Sequence, residues 1–130
     1  MKLAPRALPE LLAGRRIASV TGTNGKTTTT HFLTAAVRAG TPDSQRSVVT
    51  NADGANLYHG IVSALGQAPN ATIAVLETDE RVVADVVAMG SPKVLVLLNF
   101  SRDQLDRNHE LTFLGRDWRA ALEKAAEHGP

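Results

Sequence analysis

Cysteine is absent from the 130-residue chain, which excludes disulfides, thiolate metal sites and a cysteine nucleophile. Aromatic residues make up only 4%, so any core must be built from Val, Leu, Ile and Ala. An excess of one charge is also missing. The 14 Lys and Arg against 13 Asp and Glu leave a formal +1, with no electrostatic case for nucleic acid or an anionic membrane as the main partner. No apolar run approaches the length of a membrane span, and the longest, residues 94–98, has the length of a buried strand. Residues 1–12 carry basic side chains and leucines but no continuous apolar segment followed by a small-residue cleavage site, so no signal peptide is read. Internal repeats and low-complexity segments are lacking too. These absences point to a soluble, cytoplasmic protein. What is present is a hydrophobic fraction of 43%, enough to bury a core in a length that suits one domain.

Strand-like and helix-like segments alternate. Residues 16–20 (RIASV) form a strand candidate that ends at a glycine-rich loop. Residues 26–39 read as a helix with Phe32, Leu33, Ala36 and Val37 on one face, stopped by Gly40 and Pro42. Residues 47–50 are a second strand. Residues 55–65 are helical, with Leu57, Ile61, Ala64 and Leu65 on one stripe. Residues 72–77 are a third strand, entered after a Pro-Asn turn signal. Residues 81–89 have helical spacing despite their valines. Residues 93–98 are the most apolar strand, and Leu114, Trp118, Ala121, Leu122 and Ala125 mark a last amphipathic helix. Trp118 and Phe113 read as packing residues. This alternation predicts an α/β fold of three layers, a mostly parallel sheet with helices on both faces and right-handed crossovers. Ligands then lie beyond the carboxyl ends of the strands. The residues there, 21–27, 51–56, 77–80 and 99–106, are nearly all polar, glycine or charged.

The strongest local signal is Gly22-Thr23-Asn24-Gly25-Lys26-Thr27, between a strand and a helix. Two glycines let the backbone curl so that successive N–H groups point at phosphate oxygens, and the helix N-terminus adds partial positive charge. Lys26 is placed to reach the outer phosphates and the Thr27 hydroxyl to ligate Mg²⁺, with Thr28 beside it. The loop is two residues shorter than the common G-x-x-x-x-G-K-[ST] pattern. A tight turn with an exposed lysine would need neither the glycines nor the four threonines that follow, which are mediocre helix formers.

Mg²⁺ prefers carboxylate and other hard oxygen ligands. Glu77 is favoured over Asp79 and Glu80 because it ends its strand and so projects at the sheet edge. Asn99 offers an amide donor and acceptor suited to a purine edge. The run after it, including Arg102 and Asp103, is either a solvated loop or an acceptor-binding segment. Asn51, Asp53 and Asn56 surround Gly54, and either contact substrate or make an Asx-type turn that caps the next helix. His31, His59, His109 and His128 have no metal-ligand spacing with one another.

Together these motifs resemble the Mur ligase and folylpolyglutamate synthase superfamily. VTGTNGKTTTT, from Val20 to Thr30, looks like its phosphate loop. Glu77 falls where that superfamily has a Mg²⁺-binding glutamate, and Asn99 where it has an adenine-contacting asparagine. Asp103-Gln104-Leu105-Asp106-Arg107 replaces the usual D-H-L-D segment. With the asparagine-rich loop around Gly54, it is similar to the Mur-ligase-like subunit of lipid II isoglutaminyl synthase. The resemblance implies a central ATP-binding domain over residues 15–130 after an N-terminal segment 1–14. It implies Lys26 and Glu77 as catalytic residues and ATP with Mg²⁺ as cofactors. Gly22 through Thr28 and Asn99 would hold the nucleotide, Thr27 and Glu77 the metal, and Asn51, Asn56, Arg102 and Asp103 the acceptor. It further implies a glutaminase subunit as partner and amidation of the lipid II or muropeptide D-glutamate to D-isoglutamine. The subgroup's zinc insertion and C-terminal domain lie outside these residues, so the expectation is an incomplete domain that does not turn over alone. The alternatives are an amino-acid-adding Mur or folylpolyglutamate-type ligase, a non-catalytic ATP-binding fragment, and an unrelated P-loop kinase or GTPase, against which the shortened loop argues.

Overall fold

In the computed structural model the described residues are 6–99 and 108–127. Four short strands, β1 (Arg16–Thr21), β2 (Val48–Thr50), β3 (Ile73–Glu77) and β4 (Val94–Leu97), form one sheet in the order β2-β3-β1-β4. Every pairing is parallel, with Val20 opposite Glu77 and Thr21 opposite Leu97. Strand side chains alternate between faces, and here both parities are buried. Ile17, Val49, Ala74 and Leu76 join Leu8, Leu12, Ile61, Leu65 and Val86 in one cluster, while Val20, Val48 and Val75 are buried outside it. That double burial is what a parallel sheet covered on both sides requires.

The helices are α1 (Ala7–Leu12), α2 (Lys26–Ala39), α3 (Ser44–Ser47), α4 (Tyr58–Gln67), α5 (Val83–Gly90) and α6 (Asn108–Glu127). Helix α2 packs across β1, β2 and β3, whereas α1, α4 and α5 pack together against the other face. The chain passes from β1 over β3 to β2 through α2, then returns towards β4 through α4 and α5. Reversing both the direction and the face keeps the hand of each crossover the same. Adjacent β1 and β3 therefore send their chains to opposite faces, which opens a crevice beyond their carboxyl ends. Residues 1–14, assigned from sequence to a segment before the domain, supply α1, whose Leu8 and Leu12 sit in the main cluster.

Four expected features differ. The predicted apolar face of α2 is only partly covered: Phe32 is 73% exposed and Ala36 is exposed, Leu33 and Val37 are half-buried, and the buried residues are Lys26, Thr30 and Thr34. The helix begins at Lys26, which faces the crevice, and that residue sets the phase of every later turn. Helix α4 starts at Tyr58 rather than residue 55, because the preceding residues are tied to β3. Strand β4 is an edge among the described strands, so Val94 is 49% exposed instead of covered. Trp118 of α6 packs with Val83 and Val87 as expected, but Phe113 is exposed and does not join the core.

Helices α4 and α5 are also tied by a hydrogen bond of 2.8 Å from the Tyr58 hydroxyl to Asp85 Oδ2. Burial, this bond and the Asp85 charge push the phenol up from 10.0 to about 12. The folded state thus favours neutral tyrosine. The contribution is complete below the ordinary phenol range and is lost between pH 10 and about 12, where the unfolded chain ionises first. Tyr58→Phe is expected to lower stability by about 0.5–1 kcal/mol at pH 8. Urea titrations at pH 8 and pH 11 should show the two proteins converging at the higher pH.

Candidate functional site

The loop after β1 owes its path to two glycines. Gly22 and Gly25 have φ of 136° and 86°, a region disfavoured for residues with a Cβ. A Cβ on Gly22 would lie 2.7 Å from Leu98 Cβ, so the loop runs against the exit of β4. There Asn99 braces it: Thr23 N donates to Asn99 O at 2.8 Å and Asn24 N to Asn99 Oδ1 at 3.2 Å. Gly25 caps α2, whose first turn has no acidic residue, leaving the partial positive charge of that terminus available to an anion. Asn99, expected at a purine edge, stands beside the phosphate loop with its amide oxygen engaged by it.

Lys26 does not extend from this loop. Its Nζ donates to Gly22 O at 2.6 Å and Thr23 O at 3.3 Å, and lies 3.6 Å from Glu80 Oε2. The lysine is folded back over its own turn. Thr30 Oγ1 donates to Lys26 O at 2.7 Å, which fixes the start of the helix beneath it.

Glu77 ends β3 and is 5% exposed. Its backbone N donates to Asn51 Oδ1 at 2.8 Å, and Asn51 Nδ2 donates to Glu77 O at 2.8 Å and to Ala55 O at 3.3 Å. Strand β2 pairs with β3 only as far as Thr50 opposite Val75. The Asn51 amide continues the ladder where the β2 backbone has turned away. Asn56 Nδ2 donates to Glu77 Oε1 at 3.1 Å, and Asn56 O accepts from Asp79 N at 2.9 Å. Asn51 thus fixes the Glu77 backbone and Asn56 its carboxylate. Asn51, expected either at the substrate or in an Asx-type turn, is 3% exposed, with its amide bonded to the β3 backbone. Neither residue caps α4, whose N-cap is Leu57 without a side-chain bond. Asn56 does line the crevice.

The crevice has a volume of about 440 Å³ and is bordered by the phosphate loop, Thr27, Thr28, Asn56, Glu77, Asp79 and Glu80. Among the described lining residues three carboxylates face one lysine. Burial would raise the Asp79 carboxyl, but bonds from the Arg81 side chain and backbone N–H, the Arg81 charge and the Lys26 charge together hold it below its ordinary range. Glu77 Oε2 is buried without a hydrogen-bond partner while Oε1 is taken by Asn56. A carboxyl oxygen buried without a partner suits a hard cation, and Thr27 lines the same crevice, so the donor set fits Mg²⁺. A hollow of about 470 Å³ between α5 and α6, lined by Val87, Pro92, Leu95, Ala121 and Ala125, is larger but apolar and lies beyond the opposite end of β4. Its charged lining residues, Lys93 and Lys124, are of one sign, and no acidic residue lines it beside them.

His31 Nε2 lies 3.3 Å from Asp53 Oδ1, both exposed. Arg102 and Asp103 lie outside the described residues, as does the rest of the DQLDR segment. Sequence reasoning weighed Glu80 only as a metal ligand and did not foresee its pairing with Lys26, and it missed Thr78, whose Oγ1 is 2.8 Å from Ser19 Oγ. Nothing local in the sequence marks either contact.

The comparisons with known proteins follow the same residues. The lipid II isoglutaminyl synthase (glutamine-hydrolyzing) subunit MurT of Staphylococcus aureus is 36% identical over 100 residues, 75% of this chain and 22% of that protein. The subunit of the same name from Streptococcus pneumoniae is 35% identical over 108 residues, 80% of this chain and 23% of its own. A UDP-N-acetylmuramate–L-alanine ligase of Nocardioides is 37% identical over 110 residues, 82% and 22% of the two chains. The chain therefore spans less than a quarter of each of these relatives. Residues 20–114 match the Mur ligase middle domain. That interval holds the phosphate loop, the two asparagines and the buried glutamate on one parallel sheet, and by this match over most of its length the chain belongs to the Mur ligase middle-domain family.

Proposed function

We propose that this chain is the nucleotide-binding part of an ATP-dependent carbon–nitrogen ligase acting in the cytoplasm. The reaction we propose is amidation of the D-glutamate α-carboxylate in the lipid II stem peptide. The observation that carries the reading is the buried Glu77 Oε2, held opposite a glycine-rich phosphate loop by two asparagines. The substrate and a glutaminase partner are suggested by the names of the MurT relatives. Among the described residues no helix is long and apolar enough to cross a membrane.

In this reading the carboxylate oxygen of the acceptor attacks the γ-phosphorus and ADP leaves. Ammonia then adds to the acyl phosphate, and inorganic phosphate departs with formation of the amide. Such transfers depend on positioning and on neutralising charge. The N–H groups of residues 22–28 and the α2 terminus orient the phosphates. Lys26 neutralises their outer charge. Thr27 and Glu77 would hold Mg²⁺, which when bound supplies Lewis-acid stabilisation of the phosphate oxygens. Asn51 and Asn56 keep the Glu77 carboxylate at the crevice. The domain that does this is proposed to extend over residues 15–130, with α1 packed against it. The Nocardioides relative favours a second reading, an amino-acid-adding ligase, which would take an amino acid as nucleophile in place of ammonia.

Calorimetric titration with a non-hydrolysable ATP analogue and Mg²⁺ tests the site. Saturable binding is expected for the wild type. Lys26→Ala should weaken it by roughly a hundredfold or more through loss of charge-assisted bonds. Its unfolding free energy should fall by about 1–3 kcal/mol, the cost of leaving the buried partners of the lysine unpaired, with the chain still folded. Absence of binding by the folded wild-type chain would reject a nucleotide site here, and unfolding of Lys26→Ala would make the lysine a structural residue.

A further inference from the structure

We propose that Glu80 is a latch on Lys26 that makes nucleotide binding depend on a divalent cation. The inference rests on the nucleotide reading and deepens it. Lys26 Nζ donates to Gly22 O at 2.6 Å and Thr23 O at 3.3 Å, and its charge is paired at 3.6 Å with Glu80 Oε2. Both side chains of the ion pair are largely shielded, at 10% and 12% exposure, so water screens the pair little. Glu80 is held from behind, because Trp118 Nε1 donates to Glu80 O at 3.0 Å. The residue before it is held by Asn56 O accepting from Asp79 N at 2.9 Å. The carboxylate is therefore presented to the lysine by two elements on either side of the crevice.

A polyphosphate that recruits Lys26 must displace the longest of these three contacts, which is the one to Glu80. Release leaves the Glu80 carboxylate facing the incoming anion alongside Glu77 and Asp79. Without a cation that arrangement is repulsive. With a cation bound at the Glu77 and Thr27 oxygens, the charge of the crevice is offset and the exchange becomes favourable. Glu80 is a positioning residue in this scheme, acting through Lys26, and it sets the ratio of affinities with and without metal.

The test is titration of the whole chain with a non-hydrolysable ATP analogue, once with Mg²⁺ and once with EDTA. Glu80→Gln is expected to raise the EDTA affinity about tenfold or more and to change the Mg²⁺ affinity much less. Asp79→Asn removes an equal charge from a carboxylate that feels the Lys26 charge but is not its ion-pair partner, and it should raise the EDTA affinity by a clearly smaller factor. Glu80→Asp keeps the charge but withdraws it by one methylene, and should also gain in EDTA. An unchanged EDTA affinity in Glu80→Gln, with Mg²⁺-nucleotide binding intact, overturns the latch alone. An Asp79→Asn gain equal to that of Glu80→Gln overturns it too, leaving a general field effect. Loss of binding by the wild type under both conditions would instead remove the nucleotide reading and the latch with it.

Discussion

Gly60→Ala will destabilise the protein by on the order of 3 kcal/mol and weaken Mg²⁺-dependent nucleotide binding with it. An added Cβ would lie 1.7 Å from Ala55 O and 2.5 Å from Ala55 C. Both are backbone atoms, so no side chain can rotate away. The loop of residues 51–57 would have to lift off α4. That loop delivers Asn56 to Glu77 Oε1 and to Asp79 N, so the carboxylate loses its frame as the packing fails. Helix propensity alone predicts the opposite sign, since alanine exceeds glycine by about 1 kcal/mol inside a helix. Gly66 of the same helix has nothing within 4 Å of its would-be Cβ, and Gly66→Ala should stabilise by about 0.5–1 kcal/mol. Urea unfolding of the two variants decides the matter. A Gly60→Ala midpoint at or above wild type would mean the loop does not pack on α4 as described.

Asn51→Ala carries the second large effect, a loss of about 2–4 kcal/mol. It leaves the Glu77 N–H and carbonyl without partners at a buried position, each costing about 1–3 kcal/mol when unsatisfied. Asn51→Asp is no rescue, because it keeps an acceptor for Glu77 N but sets a second acceptor against Glu77 O. The loss should appear in unfolding free energy first and in Mg²⁺-nucleotide affinity as a consequence. A variant of wild-type stability whose only defect is in acceptor binding would restore Asn51 to the substrate-contact role that the sequence suggested.

The contrast between Lys26 and Phe32 shows what a linear reading can reach. Both lie on α2, and the loop and helix that carry them were legible because their causes are local. Positive-φ glycines, the apolar β1 segment and the Gly40 stop act over a few residues. Glu77 was legible for a similar reason, since it is the last residue of an apolar strand in a fold whose ligands gather at strand ends. The apolar stripe containing Phe32 was equally visible and misled, because the start of the helix at the crevice, rather than the distribution of methyl groups, sets which face is buried.

The chain's amino acids by themselves therefore determined the parallel α/β class, the glycine-rich turn between β1 and α2 and the place of Glu77 at the end of its strand, all consequences of short-range backbone preference and strand hydrophobicity. Only the tertiary structure decided that Asn51 extends the ladder to Glu77 across 26 residues and Asn56 reaches its carboxylate across 21, that Gly60 admits the loop that carries them, and that Glu80 closes on Lys26. Those contacts depend on the relative phase and register of separate elements, which is settled when their faces pack together and leaves no periodic trace along the sequence.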